Sequence, residues 1–224
     1  MTLLLRPAFV VAFAGAIVTL PAIAFAQAVR DRQEAHRLHQ NPSAYIAALD
    51  DPERDTYQKP HEVIQALSIQ PGEIIADIGA GSGYFTFRLA PHVGNTGRVY
   101  AVDVSPDMIR HLQVRLRDAG LTNVSPVLAL SDDPLVPEPV DRVLIVDVWH
   151  HIEDQPRYLQ RLRKLLKPGG QLILIDFHKR DLPVGPPPSM KIAREEVLQQ
   201  ITAAGFQLEA EHTFLPYQYF LVFR

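Results

Sequence analysis

Apolar residues in this chain come in short runs, separated by stretches where they recur every three or four positions. The runs at 73–77, 98–103, 124–129, 141–147 and 171–176 have the length and β-branched content of buried strands. Between and after them, 84–90, 106–119, 155–166 and 194–204 place apolar side chains on one face of a helix, and Gly205 closes the last as a C-cap. Strand alternating with helix predicts an α/β fold with a mostly parallel, doubly wound sheet. Two further strands at 206–214 and 217–223 are close enough to pair antiparallel at the sheet edge.

Upstream the pattern weakens. Residues 28–39 are polar and helix-compatible, Asn41-Pro42 breaks them, and 43–49 offers a short helix capped by Ser43. A loop at 50–55 follows, Pro60 opens a helix over 61–67, and Pro71-Gly72 turns the chain into the first strand. Residues 27–59 are too few to own a core, so they read as a helical lid on a domain spanning 60–224.

The first residues belong to neither unit. Arg6 precedes an uninterrupted apolar stretch at 8–20, and Pro21 leads to Ala24 and Ala26 in a small-x-small arrangement. This is the pattern of a signal peptide over 1–26, cleaved after Ala26, and it places the mature protein in the periplasm or outside the cell without stable membrane insertion. An uncleaved leader would instead anchor the chain, but the run is shorter than the ~20 residues of a spanning helix. The chain has no cysteine, which excludes disulfides, a lipid-bearing cysteine and every thiolate mechanism. A formal charge of -3, with basic residues spread along helices, argues against a nucleic-acid partner.

Candidate chemistry begins where the first strand ends. Asp77-Ile-Gly79-Ala-Gly81-Ser-Gly83 lets the backbone turn sharply and approach a ligand ahead of a helix N-terminus. The strand at 98–103 ends at Asp103, a carboxylate able to accept from both hydroxyls of a ribose. Tyr84 stands where a dinucleotide fingerprint wants a third glycine, and Asp77 would repel a pyrophosphate. An acidic strand tip suits the cationic sulfonium and ammonium of S-adenosylmethionine better than NAD.

With the segments 102–105, 140–153 and 163–176, the glycine loop resembles the class I S-adenosylmethionine-dependent methyltransferases, from about Lys59 to the C-terminus. The resemblance implies a Rossmann-like, seven-stranded sheet with an antiparallel C-terminal strand, S-adenosyl-L-methionine as cofactor, and methyl transfer to a small-molecule acceptor. It implies that Asp77 and Gly79 approach the methionine end, that Gly81 and Gly83 pass the ribose, and that Asp103 takes its hydroxyls. Val104 and Met108 would flank the adenine, and Asp132, with Asp133 as rival, would accept from its amino group. His150 and His151, after the fourth strand, are candidate general bases, with packing or helix capping as the competing role. Arg54, Tyr57, His61, Tyr84, His178 and Lys179 form a wider ring, in which Arg54 either holds a carboxylate or pairs with Asp50 or Glu53. No second carboxylate follows Asp147 at metal-binding spacing, so no metal is expected. A non-catalytic cofactor-binding scaffold and a nicotinamide oxidoreductase remain the competing classes, and the sequence sets no oligomeric state.

Overall fold

The apolar runs become one sheet. The computed structural model describes residues 41–224, so the leader at 1–26 and the helix expected at 28–39 lie outside the described residues. Seven strands, β1 (Ile74–Ile78), β2 (Arg98–Asp103), β3 (Val124–Leu128), β4 (Val140–Val146), β5 (Leu166–Phe177), β6 (Leu208–His212) and β7 (Gln218–Phe223), stand in the order β3-β2-β1-β4-β5-β7-β6. β1 through β5 pair in parallel, while β7 runs antiparallel to both β5 and β6. The order reverses at β1, which pairs with β2 on one side and β4 on the other. A crevice therefore opens beyond the carboxyl ends of these strands, where ligands collect in open parallel sheets.

Helices α1 (Pro42–Leu49), α2 (Arg54–Gln58), α3 (Pro60–Leu67), α4 (Thr86–Val93), α5 (Pro106–Asp118), α6 (Gln155–Leu165) and α7 (Arg194–Ala203) complete the layers. Val63, Leu67, Leu89, Leu112 and Phe220 pack in a core on one face of the sheet. Trp149, Leu162, Val197, Ile201 and Phe223 pack in a second core on the other. Each fully buried aliphatic side chain contributes about 2 kcal/mol relative to exposure, so both faces hold the strand ends in place.

Three local expectations change. Asn41, not Ser43, caps α1: its Oδ1 accepts from Ala44 N at 3.3 Å and from the Ser43 hydroxyl at 2.9 Å, and Pro42 opens the helix. Residues 54–58, read partly as loop, form α2. β5 begins at Leu166 rather than 171, because Leu166 pairs with Val140 ahead of a register shift; Pro168-Gly169-Gly170 is thereby absorbed into an irregular strand.

Candidate active site

The glycine loop is pinned to the neighbouring strand. Gly79 N and Ala80 N both donate to Val102 O, at 2.8 and 2.9 Å. Gly79 has φ +72°, and a Cβ there would lie 2.2 Å from the Val148 side chain, so only glycine fits. Gly81 N donates to Asp103 Oδ2 at 2.9 Å, while Asp103 Oδ1 accepts from Ser105 N at 2.8 Å. Asp103 thus shapes the loop from the tip of β2, and because a carboxylate oxygen accepts more than one hydrogen bond, the same group suits vicinal hydroxyls. Gly83 N closes the turn on Ala80 O at 2.8 Å.

Asp77 lies beneath this loop. It is 3% exposed and accepts from the Thr86 hydroxyl at 2.6 Å, which ties β1 to the start of α4. Burial pushes its carboxyl up to about 6, against the Thr86 hydrogen bond and with help from the charge of Asp103. Thr86 also explains why α4 starts later than the sequence pattern implies: residues 83–85 are spent on the turn.

Beyond β2 and β3 the rim is apolar. Val104 is 60% exposed and Leu130, which the sequence reading missed, is 56% exposed. They follow neighbouring strand ends, joined where Ala129 N donates to Asp103 O at 2.9 Å. Exposed apolar side chains on either side of a crevice make walls for a flat ring. Met108 is instead buried at 3% exposure on the first turn of α5. Asp132 and Asp133 turn toward α6, where they pair with Arg157 and Arg161, both at 3.1 Å.

Beyond β4 and β5 the rim is acidic, with Asp147 half-buried and Asp176 buried. Asp147, in the left-handed region at φ +57°, accepts from Gln58 Nε2 at 2.5 Å and from Gln218 Nε2 at 2.7 Å. Burial and the nearby charge of Asp176 raise its pKa, and the Gln218 hydrogen bond opposes them. Asp176, 1% exposed, meets His150 Nδ1 at 2.9 and 3.0 Å. Burial disfavours the imidazolium of His150, but the charge and hydrogen bond of Asp176 outweigh it and raise the pKa. His151 is exposed beside it, with ring centroids 4.2 Å apart. Asp176 is one of the strand-tip acids expected on this rim, whereas Gln58 and Gln218 were not singled out from the sequence.

Residues 41–59, the described part of the expected lid, lie across the loops. A Cβ at Gly81 would be 3.0 Å from Leu49 Cδ1, which places the end of α1 over the glycine loop. Arg54 and Arg88 both sit over the Tyr84 ring at 4.1 Å, and the Tyr84 hydroxyl donates to Asp55. Arg54 also donates to Leu49 O, and among the described residues no salt bridge joins it to Asp50 or Glu53. Asp50 is held by Arg115 at 2.9 Å, and that guanidinium also donates to Ser82 O at 2.8 Å. Tyr57 rests 6.2 Å from the rings of both Phe177 and Tyr217. His61 and Lys179 are exposed, and His178 packs edge-on to Tyr219 at 5.8 Å. Among the described residues no group of three or more His, Asp or Glu is arranged to hold a metal ion.

Residues 76–172 match the family model described as "Methyltransferase domain". That match takes in somewhat less than half of the chain. The fold is that of the class I S-adenosylmethionine-dependent superfamily. The solved structure of a SAM-dependent methyltransferase from Aquifex aeolicus superposes with a TM-score of 0.76 at 27% identity, covering 82% of this chain and 97% of that one. Over 123 residues the chain is 31% identical to the ubiquinone/menaquinone biosynthesis C-methyltransferase UbiE of Hydrogenovibrio crunogenus, across 54% of this chain and 48% of that protein. It is 34% identical over 118 residues to the 2-phytyl-1,4-naphtoquinone methyltransferase of Trichormus variabilis, 52% of each. The chain thus spans about half the length of the curated relatives it matches. The matched methyltransferase domain segment includes the glycine loop, Asp103, Asp147 and His150, while Gln58, Asp176 and Gln218 lie outside it.

Proposed function

We propose that this chain is an S-adenosylmethionine-dependent methyltransferase that acts on a small-molecule acceptor at the carboxyl ends of β1, β2, β4 and β5. One observation carries the reading: a single carboxylate, Asp103, holds the glycine loop through Gly81 N at 2.9 Å and stands next to the exposed Val104. That juxtaposes a ribose acceptor, a close-approach backbone and an apolar wall. The residues fit the cofactor. Gly79 and Gly81, both at positive φ, hold the loop in a turn that glycine adopts readily, and the buried Asp77 and half-buried Asp147 complement a cationic ligand and repel a pyrophosphate.

When bound, the cofactor supplies a methyl group already activated on a sulfonium. The chain has three tasks: Asp103 and the loop orient the nucleoside, Val104 and Leu130 enclose its ring, and residues 27–59 act as the lid that excludes water. Holding donor and acceptor in line accounts for most of the acceleration with so activated a donor. The relatives' names point to a naphthoquinone as the acceptor class to try first. Residues 1–26 direct export, a reading supported by the apolar run at 8–20 and the Ala24/Ala26 site, and mass analysis of the protein from a periplasmic fraction checks it by an N-terminus at Gln27.

The test of activity is transfer of radiolabelled methyl from S-adenosylmethionine to 1,4-naphthalenediol and other small protic acceptors. Labelled product with matching S-adenosylhomocysteine is the expected result. Cofactor binding without transfer to any acceptor would instead support a scaffold.

A further inference from the structure

The His150–Asp176 pair is built more tightly than cofactor binding requires. The His150 side chain is 3% exposed and that of Asp176 1%. Asp176 Oδ1 accepts from Phe177 N at 2.8 Å, and Oδ2 accepts from His150 N at 3.3 Å. Backbone N–H groups can only donate, so both oxygens act as acceptors. Their contacts of 2.9 and 3.0 Å with His150 Nδ1 therefore place a hydrogen on Nδ1 and leave the lone pair of the neutral ring on Nε2. Asp176 also grips the backbone of the 3-10 turn Trp149–His151, so one carboxylate sets both the tautomer and the orientation of the ring.

We propose that His150, positioned by Asp176, takes the proton released by the methyl acceptor, so that the acceptor is a nucleophile that loses a proton on methylation: an O–H, an N–H or an acidic C–H. This rests on the methyltransferase reading above. The step balances. The acceptor's proton passes to Nε2 as its freed electron pair bonds the methyl carbon; the carbon–sulfur pair remains on sulfur as a neutral thioether, and the imidazolium then returns its proton to water. The groups around His150 fit that role. Asp176 from β5 and Asp147 from the end of β4 favour the imidazolium, Lys191 from the segment before α7 opposes it, and the His151 ring lies alongside. The Tyr219 hydroxyl, buried without a partner, lies within the field of both carboxylates.

Nitrogen-detected NMR of histidine-labelled full chain, with S-adenosylhomocysteine present, decides the tautomer without any acceptor. The expected spectrum shows His150 as the Nδ1–H form in wild type and the Nε2–H form in Asp176→Asn, with Asp176→Glu restoring the first. With 1,4-naphthalenediol as probe, kcat should fall about 10²- to 10⁴-fold in His150→Gln and Asp176→Asn, with the acidic limb of the pH profile lost and S-adenosylhomocysteine affinity held within about 3-fold. Wild-type His150 in the Nε2–H form overturns the proposal, as does an Asp176→Asn protein with unchanged tautomer or kcat. A wild-type protein that binds no S-adenosylhomocysteine overturns the methyltransferase reading itself, which separates the two failures.

Discussion

The two ends of the sheet treat acidic side chains in opposite ways. At the amino ends three acids meet cations: Glu73 faces Arg142 at 2.8 and 3.0 Å, Asp141 faces Lys167 at 2.8 Å, and Glu209 faces Arg224 at 2.7 Å. Burial works against the Asp141 carboxylate, but Lys167 and Ile74 N outweigh it and lower its pKa. At the carboxyl ends Asp77 and Asp176 are more deeply enclosed, and the hydrogen-bond partners of these two and Asp147 are a threonine, two glutamines, a histidine and backbone amides. Burial dominates for Asp77 and Asp147, and both pKa values rise. A matched pair is electrostatically complete, whereas an acid with only neutral donors keeps its attraction for a cation. One end of the sheet is therefore built for stability and the other for a ligand.

Substitutions at the two ends should separate those roles. The largest effect is expected at the amino end, where Arg142→Ala strands the partly buried Glu73 and frees Leu67 O, which accepts at 2.7 Å. Chemical denaturation should show a loss of roughly 2 to 3 kcal/mol with cofactor affinity unchanged. Asp103→Ala should do the reverse, weakening S-adenosylmethionine binding by roughly 1.5 to 3 kcal/mol in calorimetry, since a charged acceptor loses its hydrogen bonds; unchanged affinity would remove Asp103 from the site.

Asp77→Asn sharpens the contrast through pH. The folded-state pKa of about 6 lies above the ordinary 3.8, so the stability linked to the proton is fully present below 3.8 and lost as pH rises through 6. The variant is neutral at every pH. Its advantage over wild type should be near zero at acid pH and grow to about 3 kcal/mol by pH 8; a constant difference across that range would contradict a buried charge. Arg157→Ala is the smallest change. It breaks an exposed pair with Asp132 and should alter stability by less than about 0.5 kcal/mol with no effect on affinity. Weaker cofactor binding in that variant would return Asp132 to the site.

What could be read from the sequence follows from how far each contact reaches along the chain. Strand tips such as Asp103 are legible because an apolar run has a definite end, and β2 spans the expected 98–103. The glycine loop is legible because glycine, acid and strand are contiguous. Contacts across the sheet are another matter: Gln58 and Asp147 are 89 positions apart, Gln218 and Asp147 71, and His150 and Asp176 26. No periodicity links them, and a lone glutamine on a short helix gives no sign that it caps a buried carboxylate. Leu130 was missed for a related reason, since an apolar residue after an apolar strand reads as core until its exposure is known. Arg54 shows the limit of charge counting, because its guanidinium stacks on Tyr84 while acids stand close in sequence.

The most direct test of the carboxyl-end site is calorimetric titration of the full chain with S-adenosylmethionine, with S-adenosylhomocysteine and NAD as comparators. Saturable binding of the first two, weakened in Asp103→Ala, with no binding of NAD is the predicted result. Binding of NAD, or no binding of S-adenosylmethionine, would contradict the account.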